Sequence, residues 1–288
     1  MDNFEYRFDF MEDRGLRPAF NQILIDIHGL DLTLWDERVG WDRDFVPFAF
    51  FSGDTIVAVT CIYALDLIVR GEWRRVAQVS SVGTRPEYRK QGLNAELTRR
   101  ALAWSRKQKL RGTFLFSDDD AIGFYAKQGF VERAEWKHRV TVDSAPRPEY
   151  QVLDFDRDED LIVRLVESRT PVSNTLGARS PKLELFHLVY ENAGELRYVE
   201  ELDLIVCCDE GHEVLTVYDL IGPELPAWSA IEPRVLGAGT TSVVFEITPD
   251  RLGLSDAEPI EHRANRLHVF EHEDLIEGKV IFPFTAHA

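Results

Sequence analysis

Positive charge and a glycine are concentrated in one short stretch, Arg85-Pro86-Glu87-Tyr88-Arg89-Lys90-Gln91-Gly92-Leu93-Asn94. A strand-like run, 73–84, ends just before it, and a helix-like run, 91–110, begins within it. The first N–H groups of a helix have no partner inside the helix, and the helix dipole adds to their attraction for an anion. Gly92 has no Cβ, so the backbone there can come close to a ligand. Arg89 and Lys90 add charge. Such a loop suits a pyrophosphate, and on its own it equally suits a solvated basic turn. It is neither GxxxxGK[ST] nor GxGxxG.

The elements that must hold this loop can be read from patterning. Alternation over 4–10 predicts an opening strand, and Leu16, Phe20, Ile23, Leu24 and Ile27 predict a helix over 16–30. An irregular, aromatic and acidic stretch, 31–44, follows. Runs at 45–51, 55–69 and 73–84 are separated by Ser52-Gly53-Asp54 and Arg70-Gly71-Glu72, so they predict three antiparallel strands. Leu93, Leu97, Ala101 and Trp104 share one face of the next helix. A short buried strand is expected at 113–117 and a short helix at 118–128, with Gly129 just past its end. Two closing strands are expected, at 130–131 and 136–142.

Two prolines and broken periodicity mark 142–148 as a linker, dividing the chain into 1–145 and 146–288. Charge divides in the same place. The first part is nearly balanced, and almost all of the net charge of -17 falls in the second. An acidic surface repels nucleic acid and attracts cations, though it also simply aids solubility. No apolar run reaches the length of a membrane span, and the acidic, alternating start does not read as a signal peptide. Cys61, Cys207 and Cys208 form no CxxC pair, so neither a disulfide framework nor a metal site is expected, and a cytoplasmic setting fits. The histidines are scattered. His268 and His272 would share a helix face, but Val269 and Phe270 favour a strand.

Residues 79–130 resemble the GNAT family of N-acetyltransferases. The family's acyl-CoA loop reads [RQ]-x-x-G-x-[GA], and this chain has Arg89-Lys90-Gln91-Gly92-Leu93-Asn94 after Pro86-Glu87-Tyr88. Asn94 stands where a small residue is usual. It would crowd the helix start or hydrogen-bond locally. A second family signature, roughly N-x-x-A-x-x-F-Y-x-K-x-G-F, meets Asp118, Ala121, Phe124, Tyr125, Lys127, Gly129 and Phe130, with Asp118 in place of the asparagine. The resemblance implies a GNAT fold of the α/β (α+β) type, a mixed and mostly antiparallel sheet flanked by helices. It implies acetyl-CoA as co-substrate, with the pyrophosphate on the backbone N–H groups of residues 89–94. The pantetheine arm would pair with Val82, Gly83 and Thr84, and Asp118 and Phe124 would add to the cofactor site.

By the same resemblance Tyr125 is the general acid. A phenol, of pKa ~10, can protonate a leaving thiolate, although Tyr125 also reads as a core aromatic beside Phe124. No carboxylate occurs in Gln78-Val79-Ser80-Ser81-Val82, so a water held by Ser80 or Ser81 is expected to serve as base. The acceptor pocket of such folds falls at 34–44. Trp35 and Trp41 there could flank an alkylammonium that Asp36, Asp42 and Asp44 attract, and the same residues also fit a surface loop with anchoring tryptophans. The acceptor would be a small-molecule or peptide amine, of cationic character. Neither nucleic acid nor membrane is an expected partner, and a homodimer is compatible.

The second half loosely repeats the order of the first: strand at 149–155, helix at 158–168, loop at 170–181, helix or strand at 183–190, a hairpin of 202–208 and 214–221, helix at 226–236, strand at 242–248. A GNAT-like accessory domain is expected. Where a cofactor loop would fall it offers Gly222-Pro223-Glu224 without a basic residue, so no CoA site is expected there and an acceptor-shaping role is. The apolar stretch 280–288 is expected to dock. In some acetyltransferases with appended C-terminal domains the terminal carboxylate reaches the active site, which makes that of Ala288 a second base candidate. The alternative to an enzyme is an acyl-CoA-binding sensor or scaffold that has lost its chemistry.

Overall fold

The computed structural model describes residues 3–142, 145–190, 194–271 and 275–288. Asp143 and Ser144 of the expected linker, and His272, lie outside them. In the first half the elements are β1 (Glu5–Phe8), α1 (Arg17–His28), α2 (Thr33–Arg38), β2 (Phe45–Ser52), β3 (Thr55–Val69), β4 (Glu72–Thr84), α3 (Leu93–Lys107), β5 (Thr113–Ser117), α4 (Ile122–Lys127) and β6 (Phe130–Thr141). In the second they are β7 (Gln151–Val152), α5 (Phe155–Ser168), β8 (Leu176–Arg179), α6 (Pro181–Tyr190), β9 (Glu195–Val199), β10 (Leu204–Glu210), β11 (Val214–Ile221), α7 (Trp228–Val235), β12 (Ser242–Phe245) and β13 (Glu258–Phe270).

The protein has the mixed, mostly antiparallel sheet flanked by helices that the sequence led one to expect. The strands form one sheet in the order β1-β2-β3-β4-β5-β13-β6-β12-β11-β10-β9-β7, with β8 paired to β3. Among the described residues only β4–β5 and β11–β12 pair in parallel, and a helix, α3 or α7, crosses between the members of each pair. The repeat extends further. Each parallel pair is continued by a strand from the other half: β5 by β13, and β12 by β6. The two halves are therefore joined through their sheets as well as by the linker.

Several local expectations change. The stretch 31–44 contains α2. Residues 130–142 hold one strand rather than two, because β6 pairs with β13 on one side and β12 on the other and so runs through Glu132-Arg133-Ala134-Glu135. The expected strand at 149–155 shrinks to two residues, since Asp154 caps α5 by accepting from the Arg157 N–H (3.2 Å). The loop at 170–181 contains β8, which pairs with Leu67 and its neighbours on β3. Residues 183–190 lie in α6, a helix.

The sheet separates two packed faces in the first half. Leu93, Leu97 and Ala101 of α3 and Tyr125 of α4 pack on Ala77 and Val79 of β4. On the other face Phe20, Ile23 and Leu24 of α1 share a core with α5, α6 and Phe282 near the chain end. That core is common to both halves. The three cysteines are free and buried. Among the described residues no helix is long and apolar enough to cross a membrane, and no group of three or more His, Cys, Asp or Glu could hold a metal.

Candidate active site

β4 and β5 pair only where Ala77, Gln78 and Val79 face Thr113, Phe114 and Leu115. β13 pairs along the other edge of β5, and the β4–β5 pairing stops before Ser80, so a gap opens beside Ser80–Thr84. β4 is also irregular there: its register against β3 shifts between Cys61 and Val59, and Ser81 takes a φ of 49°. A bulge of this kind breaks the ladder and leaves backbone groups free to meet a ligand. Gly83 lets α1 pack closely on this strand, because a Cβ there would lie 2.7 Å from the Ile27 side chain and force it to move.

After β4, Pro86–Tyr88 form one 3-10 turn, and Arg89 steadies it by donating from Nε to the Thr84 carbonyl (3.1 Å). Gly92 is the N-cap of α3 with φ 76°, a left-handed conformation that costs other residues energy, and no side chain caps the helix. The opening N–H groups of α3 are thus left for an anion. Glu96, in the first turn, is bound by Arg99 and Arg100, whose hydrogen bonds hold its carboxyl down at about 2. Its charge is balanced before it can repel an anion at the helix start. Asn94 does occupy the crowded position, and its Oδ1 is enclosed without a hydrogen-bond partner.

Tyr125 projects from α4 into the core on the α3 face, 6% exposed, with Phe124 and Phe130 edge-on at 5.1 and 5.9 Å. Burial, then the charge of Asp118, pushes its phenol up to about 12, so it is protonated throughout the neutral range. His268 of β13, unanticipated from sequence, stands 6.0 Å from the Tyr125 ring and shares a hydrogen bond with the Ser117 hydroxyl (3.0 Å).

On the opposite face lies a cavity of about 410 Å³, within the usual size for a small-molecule site. Ser80 and Ser81 open into it from β4. The Ser80 hydroxyl has no partner, whereas Ser81 lies by the Cys61 thiol and offsets part of the rise that burial imposes on it. Trp35, Trp41 and Asp42 line it, and the Trp41 indole N–H is unpaired. Asp36 does not. Its carboxylate is held outside by Arg17 at 2.7 Å, and Asp44 is taken by Arg75. Burial and the neighbouring Asp44 raise the Asp42 carboxyl.

Sequence reasoning missed the part of the cavity that α6 supplies through Lys182, Leu183, Phe186 and His187, whereas the final segment, expected to dock, brings His287 and Ala288 to the wall. Lys182 donates to the carbonyls of Val39 (3.3 Å) and Gly40 (3.1 Å), fixing the lip beside Trp41. The His187 ring donates to the His287 carbonyl (2.5 Å), and the His287 ring stacks on Phe116 at 3.8 Å. Complete burial lowers the His287 imidazole to about 3, which leaves it neutral. Ala288 shares the cavity wall with Ser80, and an oxygen of its terminal carboxylate, the second base candidate, accepts from the Gln78 amide (3.4 Å). The one local signal was His187 within an otherwise apolar run.

Residues 34–132 match the family model of the acetyltransferase (GNAT) domain. No curated protein sequence matches significantly. Solved structures of similar fold include a probable N-acyltransferase from Enterococcus faecalis V583, with 13% identity and a TM-score of 0.60 over 92% of this chain and 72% of that one. Eis1 from Mycobacterium abscessus has 15% identity and a TM-score of 0.60 over 91% and 73%. A GCN5-related N-acetyltransferase from Kribbella flavida has 16% identity and a TM-score of 0.57 over 93% and 71%. At such identities the likeness is one of fold, and it extends well beyond the matched segment. Residues 34–132, which carry the glycine loop, the β4 bulge and Tyr125, match the GNAT acetyltransferase domain, and the chain around them has the GNAT fold.

Proposed function

We propose that the protein transfers the acetyl group of acetyl-CoA to a primary amine. The observation that carries this reading is the uncapped start of α3 beside the gap between β4 and β5. A helix start without a side-chain cap, entered through Gly92 and next to Arg89 and Lys90, fits a pyrophosphate. The gap fits an extended pantetheine arm that takes up the unpaired backbone of Val82, Gly83 and Thr84. Asp118 and Phe124, at the far side of the gap, complete this site.

The acceptor enters the cavity on the other face. Trp35 and Trp41 pack its apolar part, and Asp42 receives a positive charge. A water on the unpaired Ser80 hydroxyl, with Ser81 beside it, takes the proton from the reacting amine. The amine nitrogen then attacks the thioester carbon, the carbon–sulfur bond breaks, and an amide forms. A backbone N–H at the bulge stabilises the charge that develops on the carbonyl oxygen. The thiolate takes its proton from Tyr125, which is always in the acid form at neutral pH. The second half, a GNAT-like accessory domain in this reading, supplies α6 and the final segment to the acceptor wall.

The test is release of free thiol from acetyl-CoA in the presence of amines, with acetylated product identified by mass. Acetyl-CoA binding without amine-dependent thiol release would instead support a sensor or scaffold, the reading that the crowded Asn94 and the absence of a carboxylate in residues 78–82 favour. Ser80→Ala and Ser81→Ala variants with unchanged rates and pH profiles would remove the water from the mechanism.

A further inference from the structure

Asp42 is placed by more than its own loop. Its Oδ1 accepts from the Asp44 N–H (3.0 Å), and its Oδ2 accepts from the Tyr63 hydroxyl (3.4 Å). Tyr63 in turn accepts from the Ser180 hydroxyl (3.2 Å). Ser180 begins α6: its N–H donates to Glu184 Oε1 (2.8 Å), and its carbonyl accepts from the Glu184 N–H (2.9 Å). Glu184 Oε2 lies 3.4 Å from Arg169, whose guanidinium grips Asp219 of β11 with two bonds, at 2.8 and 2.6 Å. All three charged residues are at most 5% exposed. Asp219 also accepts from the hydroxyl of Thr285, two residues before His287.

A continuous polar chain thus runs from a buried ion cluster in the second half to a carboxylate in the acceptor cavity. Apolar packing alone could have filled this space, and buried ion pairs are commonly no more stabilising than apolar residues of the same shape. Directional bonds add something packing does not: a fixed position for each group at the end of the chain. One end is Asp42. The other, through Thr285, is the segment that brings His287 and Ala288 to the cavity.

We propose that Tyr63 and Ser180, anchored by Arg169 and Asp219, are positioning residues that hold Asp42 to receive the second ammonium of a small diamine while its first amine reacts at β4. This rests on the acetyltransferase reading above. Ser80 and Asp42 line one cavity, so in such a substrate one amine would lose its proton beside Ser80 and the other would stay charged beside Asp42, Trp41 and Tyr63. Specificity for the charge then depends on residues of the second half.

The probes are putrescine and n-butylamine, which share a carbon chain and differ by the second ammonium. The wild-type protein is expected to show a lower KM for putrescine. Tyr63→Phe keeps the ring and removes the hydroxyl. It should raise the putrescine KM about tenfold, as loss of one charge-assisted hydrogen bond implies. The n-butylamine KM and the calorimetric Kd for acetyl-CoA should stay within about twofold. Ser180→Ala should give a smaller change in the same direction, and Ser180→Thr, which retains a hydroxyl, should restore the preference. Melting curves establish that each variant is folded, and Ser180→Ala carries the test if Tyr63→Phe is not. Equal KM changes for the two amines, or none, in a wild-type background that turns over would overturn the positioning role alone. No turnover of either amine by a wild-type protein that binds acetyl-CoA would overturn both readings.

Discussion

The two crossovers of the sheet are built on one plan and finished in opposite ways. In each, a hairpin leads into a strand with a bulge, a helix crosses over, and a parallel strand follows: β3–β4, α3, β5 in the first half and β10–β11, α7, β12 in the second. The first crossover leaves its polar groups open. Its glycine N-cap is approached by arginine and lysine, and the Ser80 hydroxyl beside the bulge has no partner. The second is closed. The Trp228 N–H at the start of α7 donates to the Leu252 carbonyl (2.9 Å), and the Trp228 indole donates to Glu232 (2.8 Å). Beside the β11 bulge, Asp219 is filled by Arg169 and Thr285. Unsatisfied polar groups are costly when buried and serve a ligand when exposed to one. In the proposed reading the same topology is a binding site where its bonds are left open and a structural core where they are closed.

Breaking the closed crossover should have the largest effect. Asp219→Asn leaves Arg169 buried without its full counter-charge, and unfolding experiments should show a loss of about 3 kcal/mol or more. A loss below ~1 kcal/mol would mean that the cluster is not the anchor described. The corresponding attack on the open crossover should cost activity instead. Tyr125→Phe keeps the packing and removes the acid, so kcat for acetyl transfer should fall about a hundredfold while the protein melts within a few degrees of wild type.

The docked final segment links the two regions, and pH should loosen or tighten it. Glu135 of β6 is 2% exposed and accepts from the Phe282 N–H (3.0 Å). Burial raises its carboxyl to about 7, against an ordinary value near 4.5, despite that hydrogen bond. The folded state therefore holds this proton more tightly than the unfolded state. Its contribution to stability is complete below the ordinary carboxyl range and is lost as pH rises through about 7. Wild type should gain about 1–2 kcal/mol on going from pH 7.5 to 5 relative to Glu135→Gln. Parallel pH curves for the two would contradict this.

The smallest effect should come from Gly92→Ala. There is room for the methyl group, but the φ of 76° disfavours it by about 1 kcal/mol, so the Kd for acetyl-CoA should rise about fivefold. Stability should change little if the loop relaxes when empty.

Much of the open crossover was legible in the sequence because its signals are local. The alternation of 45–84, the turns at Gly53 and Gly71, and the basic glycine loop each lie within a few residues of one another. The elements of the closed crossover were legible as well, as the hairpin of 202–208 and 214–221, the helix at 226–236 and the strand at 242–248, but the bonds that close it and the contribution of α6 to the cavity were not, because they depend on distant partners. β13 enters the sheet between β5 and β6 and lets β6 continue through a polar stretch that reads as a break. The apolar run of α6 showed no clear period because the helix is enclosed on most sides. Asp36 and Asp42 looked equivalent in the sequence. Only the structure shows Arg17 drawing one away while Tyr63 and Ser180 hold the other at the cavity. The expected strand at 149–155 failed for a local reason that was readable: Asp154 is a good N-cap, and the helix begins at once.

The central claim is that the open crossover carries acyl transfer. The most direct measurement is the initial rate of thiol release from acetyl-CoA, with and without a diamine, for the wild-type protein and for Tyr125→Phe. The account predicts release that depends on the amine, matches acetylated product mole for mole, and falls about a hundredfold in the variant. Tight binding of acetyl-CoA with no amine-dependent thiol release, or equal rates in the two proteins, would contradict it.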